Sequence, residues 1–440
     1  MEQPAARRAF GFWLCLSLCV GTFIGSGIFL LPAQLAPYGW NALFAWLITI
    51  GGALCLALVF ARLTRALPEA AGPYAFVGHA FGPGPAFAVA WSYWISTWVG
   101  NAAIAIAAIS YLSLFVPALT ATPAATAAAS LGLLWLLTLL NCFSLRAVGG
   151  FQLLTVLIKL LPLLVVILLA ALLVATGRQG PIVPLRTQDL HLSSINAAAT
   201  LTLWALLGLE APSIACATVR DPERTIPRAT LVGTALVGLL YILSSTPIAM
   251  FLPAAELGRS DAPFALFVAH FWNPRIALLI GLFAAVSCMG ALNGLILVQG
   301  ELPLAMARNG AFPAWFGATS RHGTAVRPIL LSSGLATILI LTKAGGSAAQ
   351  LFVFMILLST AAALILYLAC ALAALRLQHK GLMPRSRALS LVAAIAALYS
   401  VWTLWGAGYE ATGWGAALLA AGIPVYYVMR RVTARVMPQE

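Results

Sequence analysis

The chain has 440 residues, 62% of them hydrophobic and 8% charged, with a formal net charge of +13. Apolar runs of membrane-spanning length recur from end to end, which excludes a soluble domain built on amphipathic alternation. The basic residues are spread over many short loops and form no single patch, so the positive charge does not point to a nucleic-acid partner.

A hydrocarbon core about 30 Å thick takes roughly 20 apolar residues per helix. Dividing the runs at charges, prolines and glycines predicts an all-α integral membrane protein of about twelve spans: 10–34, 40–63, 84–116, 123–143, 150–176, 194–218, 228–252, 276–306, 328–344, 348–376, 386–407 and 412–429. The first span carries the stretch GTFIGSGIF, residues 21–29. Gly21 and Gly25 fit a small-xxx-small contact between helices, which leaves Thr22, Ser26 and Gly27 without a role. The other reading is an unwound segment whose freed backbone groups line a cavity, the one setting in which lipid-depth backbone can leave the helix.

The fifth span contains Lys159 in VLIKLLPLL. Either its stem snorkels toward a helix end, or its ammonium takes the place of a cation between the fifth, first and eighth spans. The sixth span reads LWALLGLEAPS around Gly208, Glu210 and Pro212. Pro212 cannot donate to the carbonyl of Gly208 and disfavours a straight helix there. A carboxylate at membrane depth is expensive, so Glu210 is a candidate for gating and proton sensing, for contact with a cationic substrate end, or for a bond that fastens the broken helix. Glu301 lies near the inner end of the eighth span, within reach of the interface.

Interruptions in helices 1 and 6 are what a 5+5 inverted repeat predicts, with 10–176 as one half, 194–376 as the other and 386–429 as two additional helices. A half-helix that begins after a break offers free N–H groups and a positive dipole end to a carboxylate. One that ends at a break offers carbonyls to an ammonium. Together they describe a receptor for an α-amino acid.

With the N-terminus inside, eighteen of the 24 Lys and Arg residues, from Arg7 to Arg435, fall in inner segments, against five outside (Arg178, Arg186, Arg259, Arg275 and Lys343). Positive charge is retained on the cytoplasmic side, so both termini are expected there. The seven cysteines lie in spans or at their ends, which argues against a disulfide framework. The first apolar run continues as a full span, as an insertion signal that is not cleaved does.

Several stretches together carry a family resemblance: GSGIFLLPAQLA (25–36), PEAAGPYAFVGHAFGP (68–83), YWISTWVGN (93–101), LWALLGLE (203–210), RDPERTIPRAT (220–230), GAFP (310–313) and YSVWTLWGAG (399–408). They resemble the amino acid, polyamine and organocation transporter superfamily, and within it the basic amino acid/polyamine antiporters of the arginine/agmatine type. The resemblance implies a secondary carrier of a bacterial inner membrane, working by alternating access, with no cofactor or metal and a homodimeric assembly. It places the substrate carboxylate on Ser26 and the N–H of Gly27, and the α-amino group on carbonyls of Phe23, Trp204 and Leu207. Trp204 would be an outer lid, Tyr93, Glu210 and Tyr367 an inner gate, and Asn101 and Ser359 polar pocket contacts. Lysine occupies the matching place of Lys159 in some members of the superfamily, which implies sodium-independent transport.

Two positions depart from the arginine exchangers. Leu295, in CMGALNGL, stands where they carry a tryptophan against the substrate's side chain, and Ala205 replaces a serine. The departures imply a substrate with an apolar stem and a polar or amine end, or a neutral amino acid handled by proton-coupled permeation or export. Other function classes fit less well. The five histidines are scattered and no HExxH, GxSxG or phosphate-binding GxxxxGK motif occurs, against an enzyme. Two broken helices suit an occluded site better than the continuous pore of a channel.

Overall fold

The computed structural model describes residues 11–436 apart from 26, 68–71, 144, 181, 183, 211–218, 309 and 321–322. Ser26, Pro212 and Cys216 therefore lie outside the described residues. The described chain is helical throughout, in the order α1 Phe12–Phe23, α2 Gly27–Leu35, α3 Trp40–Ala66, α4 Pro73–Phe81, α5 Pro83–Leu112, α6 Pro123–Phe143, α7 Leu145–Thr176 and α8 Leu192–Trp204. There follow α9 Pro222–Phe251, α10 Ala254–Leu257, α11 Pro263–Phe271, α12 Pro274–Arg308, α13 Val326–Thr342, α14 Ala348–His379, α15 Arg387–Gly406, α16 Gly408–Ala420 and α17 Gly422–Val436.

Among the described residues nine helices are long and apolar enough to cross a bilayer, or ten with the bent pair α1/α2 counted as one span. The two pieces of that pair, Phe12–Phe23 and Gly27–Tyr38, diverge by 42°. The sixth and ninth expected spans correspond to shorter pieces: α8 ends at Trp204, ahead of residues 211–218, and α13 has 17 residues. Where the observed bounds differ from the hydropathy division, local chemistry accounts for it. α9 starts at Pro222, six residues before the expected 228, because Asp221 precedes it, proline occupies the first helical position and Glu223 sits in the first turn. The twelfth span is two helices, α16 and α17, that meet at Ala421. The short helices α4, α10 and α11 join spans and are too brief for a hydropathy window to register.

α5 is the axis of the molecule. Its faces pack on α12 and α14, while α3 packs on α8 and α9, and α1 lies along α9. Nearly all of α5 from Ser92 to Tyr111 is buried, whereas α6, α15 and α16 expose leucine and tryptophan such as Leu136, Leu398 and Trp405 to their surroundings. Small residues make the central contacts possible: the run AAIAIAAIS on α5 lets its neighbours approach closely, as lipid-embedded interfaces require. A buried polar brace ties the same helices together. Asn101 on α5 donates to Gln299 on α12 (2.7 Å), Gln299 donates to Ser333 on α13 (3.0 Å), and the Ser333 hydroxyl shares a bond with Thr138 on α6 (2.8 Å).

Candidate functional site

The broken first helix meets the end of α8. α1 ends at Phe23 and α2 begins at Gly27, and the break between them lies against the end of α8 and the turn that follows it. A Cβ on Gly27 would sit 3.0 Å from Ala205 Cα and 3.0 Å from Trp204 Cδ1, so glycine is what permits this approach. Across the pair, Gly208 adopts φ +109°, a conformation L side chains rarely take, and a Cβ there would lie 2.6 Å from Thr22 Cγ2. Each break therefore carries one glycine that makes room for the other.

The broken ladder leaves backbone groups to be satisfied. The N–H of Gly25 turns back to Phe23 O (2.9 Å) and does not reach Gly21, and the Phe23 carbonyl also accepts from the Tyr241 hydroxyl (2.8 Å). The Gly21 carbonyl is taken by Lys159 Nζ at 3.0 Å. Lys159 is 1% exposed, and its side chain on α7, a helix that packs on α12, reaches α1. A buried ammonium bonded to a backbone carbonyl is not a snorkelling geometry. The Trp204 carbonyl accepts the turn hydrogen bond of Leu207 N–H (3.3 Å).

Between the breaks lies a cavity of about 90 Å³, room for several waters at the roughly 10–15 Å³ that each needs. Phe23, Gly27, Tyr93, Trp204, Ala205, Leu207, Glu210, Leu295 and Ser359 line it. Ser359 donates to Ser96 O (2.7 Å) and faces the Ser96 hydroxyl at 3.0 Å, which fixes its oxygen at the wall. Trp204 spans the chamber: its ring edge Cη2 would lie 2.9 Å from a Cβ on Gly100, opposite the contact with Gly27. Its indole N–H is buried with no partner among the described residues.

Three residues expected at an inner gate lie together. Tyr367 donates to Glu210 Oε2 (2.9 Å) and accepts from Gly208 N–H (3.1 Å), and Tyr93 lines the cavity with Glu210. Glu210 is 2% exposed. The Tyr367 phenol on α14 thus ties Glu210 and the Gly208 backbone to that helix.

One expected pocket contact is misplaced. Asn101 does not line the cavity, and its amide is buried in the brace with Gln299. The wall of α5 consists of Tyr93, Ser96, Thr97, Gly100 and Ile104, the i, i+3, i+4, i+7 and i+11 stripe of one helix face. Asn101 is one residue past Gly100 and so about 100° around the helix, toward α12. The spacing from Tyr93 was the signal that could have found Ser96, Thr97 and Gly100. Thr22, Gly25 and Ala291 also line the cavity without having been singled out for it.

This architecture has relatives. The family model for amino acid permeases matches residues 10–435. The cadaverine/lysine antiporter of Escherichia coli K12 is 30% identical over 359 residues, 79% of each chain. The putrescine transporter PotE is 28% identical over 419 residues in Escherichia coli K12, 93% of each chain, and 29% identical over 417 residues in Haemophilus influenzae, 93% of this chain and 94% of that one. A broken first helix facing a central cavity, a multi-pass apolar framework and a family match over nearly the full length agree, and the chain belongs to the amino acid permease family, within the amino acid, polyamine and organocation transporter superfamily.

Proposed function

We propose that the chain is a secondary carrier that exchanges an amino acid for an amine through the cavity between the two breaks. The observation that carries this reading is the chemistry of the cavity's ends. The first turn of α2 has N–H groups without intrahelical partners, beginning at Gly27, and these suit a carboxylate. The buried carboxylate of Glu210 lies at the other break, and Leu295 and Ala205 offer apolar contact to a stem between them. A linear amino acid with a terminal amine, and the diamine it yields on losing its carboxyl group, both fit such a layout. Lysine and cadaverine, which name one relative, are such a pair. In this reading residues 10–176 and 194–376 are the two inverted halves, and 386–429 packs outside them.

The test is counterflow in proteoliposomes. Vesicles loaded with unlabelled cadaverine should take up labelled lysine at least about tenfold faster than empty ones. Equal rates would remove the exchange reading. A second reading, proton-coupled permeation of a neutral amino acid, is favoured by the hydrogen bond that Tyr367 already donates to Glu210, a protein partner in place of a cationic ligand. Proton-driven leucine uptake that is indifferent to internal cadaverine would select it.

Leu295 sets the side-chain preference. An aromatic face there would hold a guanidinium by a cation–π contact worth about 0.5–2 kcal/mol, so Leu295→Trp should tighten arginine or agmatine binding by up to about tenfold. If the unmodified protein binds arginine as tightly as any other amino acid and Leu295→Trp changes nothing, the pocket is assigned wrongly. The distribution of Lys and Arg favours cytoplasmic termini. A C-terminal reporter that is active only when exported should therefore stay silent, and activity would reverse the topology.

A further inference from the structure

A second cavity, of about 600 Å³, lies beyond the first, between the end of α2, the start of α14 and the α15–α16 junction. Its walls include Gln34, Gln350, Phe354, Leu357, Lys343 and Glu410. It shares two elements with the central cavity. On α2, Gly27 lines the inner chamber and Gln34 the outer one, about 10 Å apart at 1.5 Å per residue. On α14, Ser359 and Phe354 do the same over about 8 Å.

The chemistry at its mouth is that of an amine receptor already occupied by the protein's own amine. Lys343 forms an ion pair with Glu410, and its ammonium stands 4.7 Å from the centre of the Phe354 ring. A carboxylate and an aromatic face converging on one ammonium are the two groups that recognise a primary amine. The Glu410 side chain remains 63% exposed, so an amine from solution can reach it. We propose that Glu410 and Phe354 form an outer docking site for a primary ammonium, in which Lys343 is a tethered competitor that swings away when an external amine binds. The proposal rests on the amine-exchange reading above and on the outward placement of Lys343.

A structural ion pair and a receptor with a tethered competitor respond differently to substitution. If the pair only fastens the segment after α13 to α16, losing either partner acts in one direction. If Glu410 binds the amine and Lys343 competes, Glu410→Gln weakens binding and Lys343→Ala strengthens it. In right-side-out membrane vesicles, Glu410→Gln and Phe354→Leu should raise the KM for labelled cadaverine about threefold to tenfold, and Lys343→Ala should lower it by a similar factor. Everted vesicles should show no change. Equilibrium binding of cadaverine to purified protein, in a Gly27→Val background that fills the central cavity, reads the outer site without transport and should show the same opposite pair of shifts. Shifts of one sign, no shifts, or shifts confined to everted vesicles would overturn the outer site. Absence of cadaverine flux with the opposite pair of binding shifts intact would overturn the exchange reading alone.

Discussion

Gly27→Val should abolish binding of every substrate in the central cavity, lysine and cadaverine alike, leaving only what the outer site holds, while the protein still inserts and purifies. The reason is a contact between two elements. The first added carbon would already stand 3.0 Å from Ala205 Cα and Trp204 Cδ1, and 3.2 Å from Ala205 Cβ. Ala205 Cα is backbone, so it cannot rotate aside, and the two further carbons of valine must enter the chamber or force the breaks apart. Overpacking of this kind typically costs about 1–3 kcal/mol, and the upper end of that range corresponds to a loss of about 100-fold in affinity. Gly27→Ala should give an intermediate loss. Gly132→Ala on α6, where a Cβ would meet nothing within 4 Å, should leave binding unchanged. Radioligand binding to purified protein, with melting temperature as the control for folding, measures all three. Normal affinity in Gly27→Val would mean that the first-helix break is a packing device and that the small-xxx-small reading of Gly21 and Gly25 is sufficient.

The contrast between Gly27 and Asn101 shows what was legible in the sequence. Spans such as α3, α6 and α14 could be read because lipid selects long apolar runs, and their ends are marked by charge, proline or glycine. Gly27 could be singled out because a glycine beside two hydroxyl residues in such a run contradicts the helix around it. Its partner could not. That Ala205 and Trp204 meet Gly27, or that Gly208 meets Thr22, depends on how distant elements cross, and no local pattern encodes a crossing. Asn101 was assigned to the pocket through resemblance, but its direction is set by the register of α5 against α12, where Gln299 offers a buried amide partner. The helices α4, α10 and α11 were missed for another reason: amphipathic pieces of nine residues or fewer at the ends of spans have no hydropathy signal of their own. The roles of Ser26 and Pro212 fall on positions outside the described residues, so the proposed carboxylate contact rests on Gly27 and the start of α2.

Transport by the unmodified protein should be independent of sodium, with choline replacement leaving the rate unchanged, and Lys159→Ala should reduce it to background. The argument starts from the broken ladder. In a continuous helix the Gly21 carbonyl would accept the N–H of residue 25; here that N–H goes to Phe23, and the freed carbonyl is taken by Lys159 at 3.0 Å. The ammonium thus satisfies a buried acceptor that exists only because α1 is interrupted, and it does so from α7, beside α12. Removing it leaves a carbonyl without its partner, which costs about 1–3 kcal/mol, and a cavity where a long side chain had packed, which adds to the loss. Lys159→Gln separates the two contributions, because it keeps a donor but loses the charge: if the charge is what replaces a sodium ion, the glutamine variant should recover melting temperature and not transport. Lys159→Arg keeps the charge with a planar, wider head and should retain part of the rate. A steep sodium dependence in the unmodified protein would show that the cation site is filled from solution after all, and Lys159 would then be a structural tie between α7 and the end of α1.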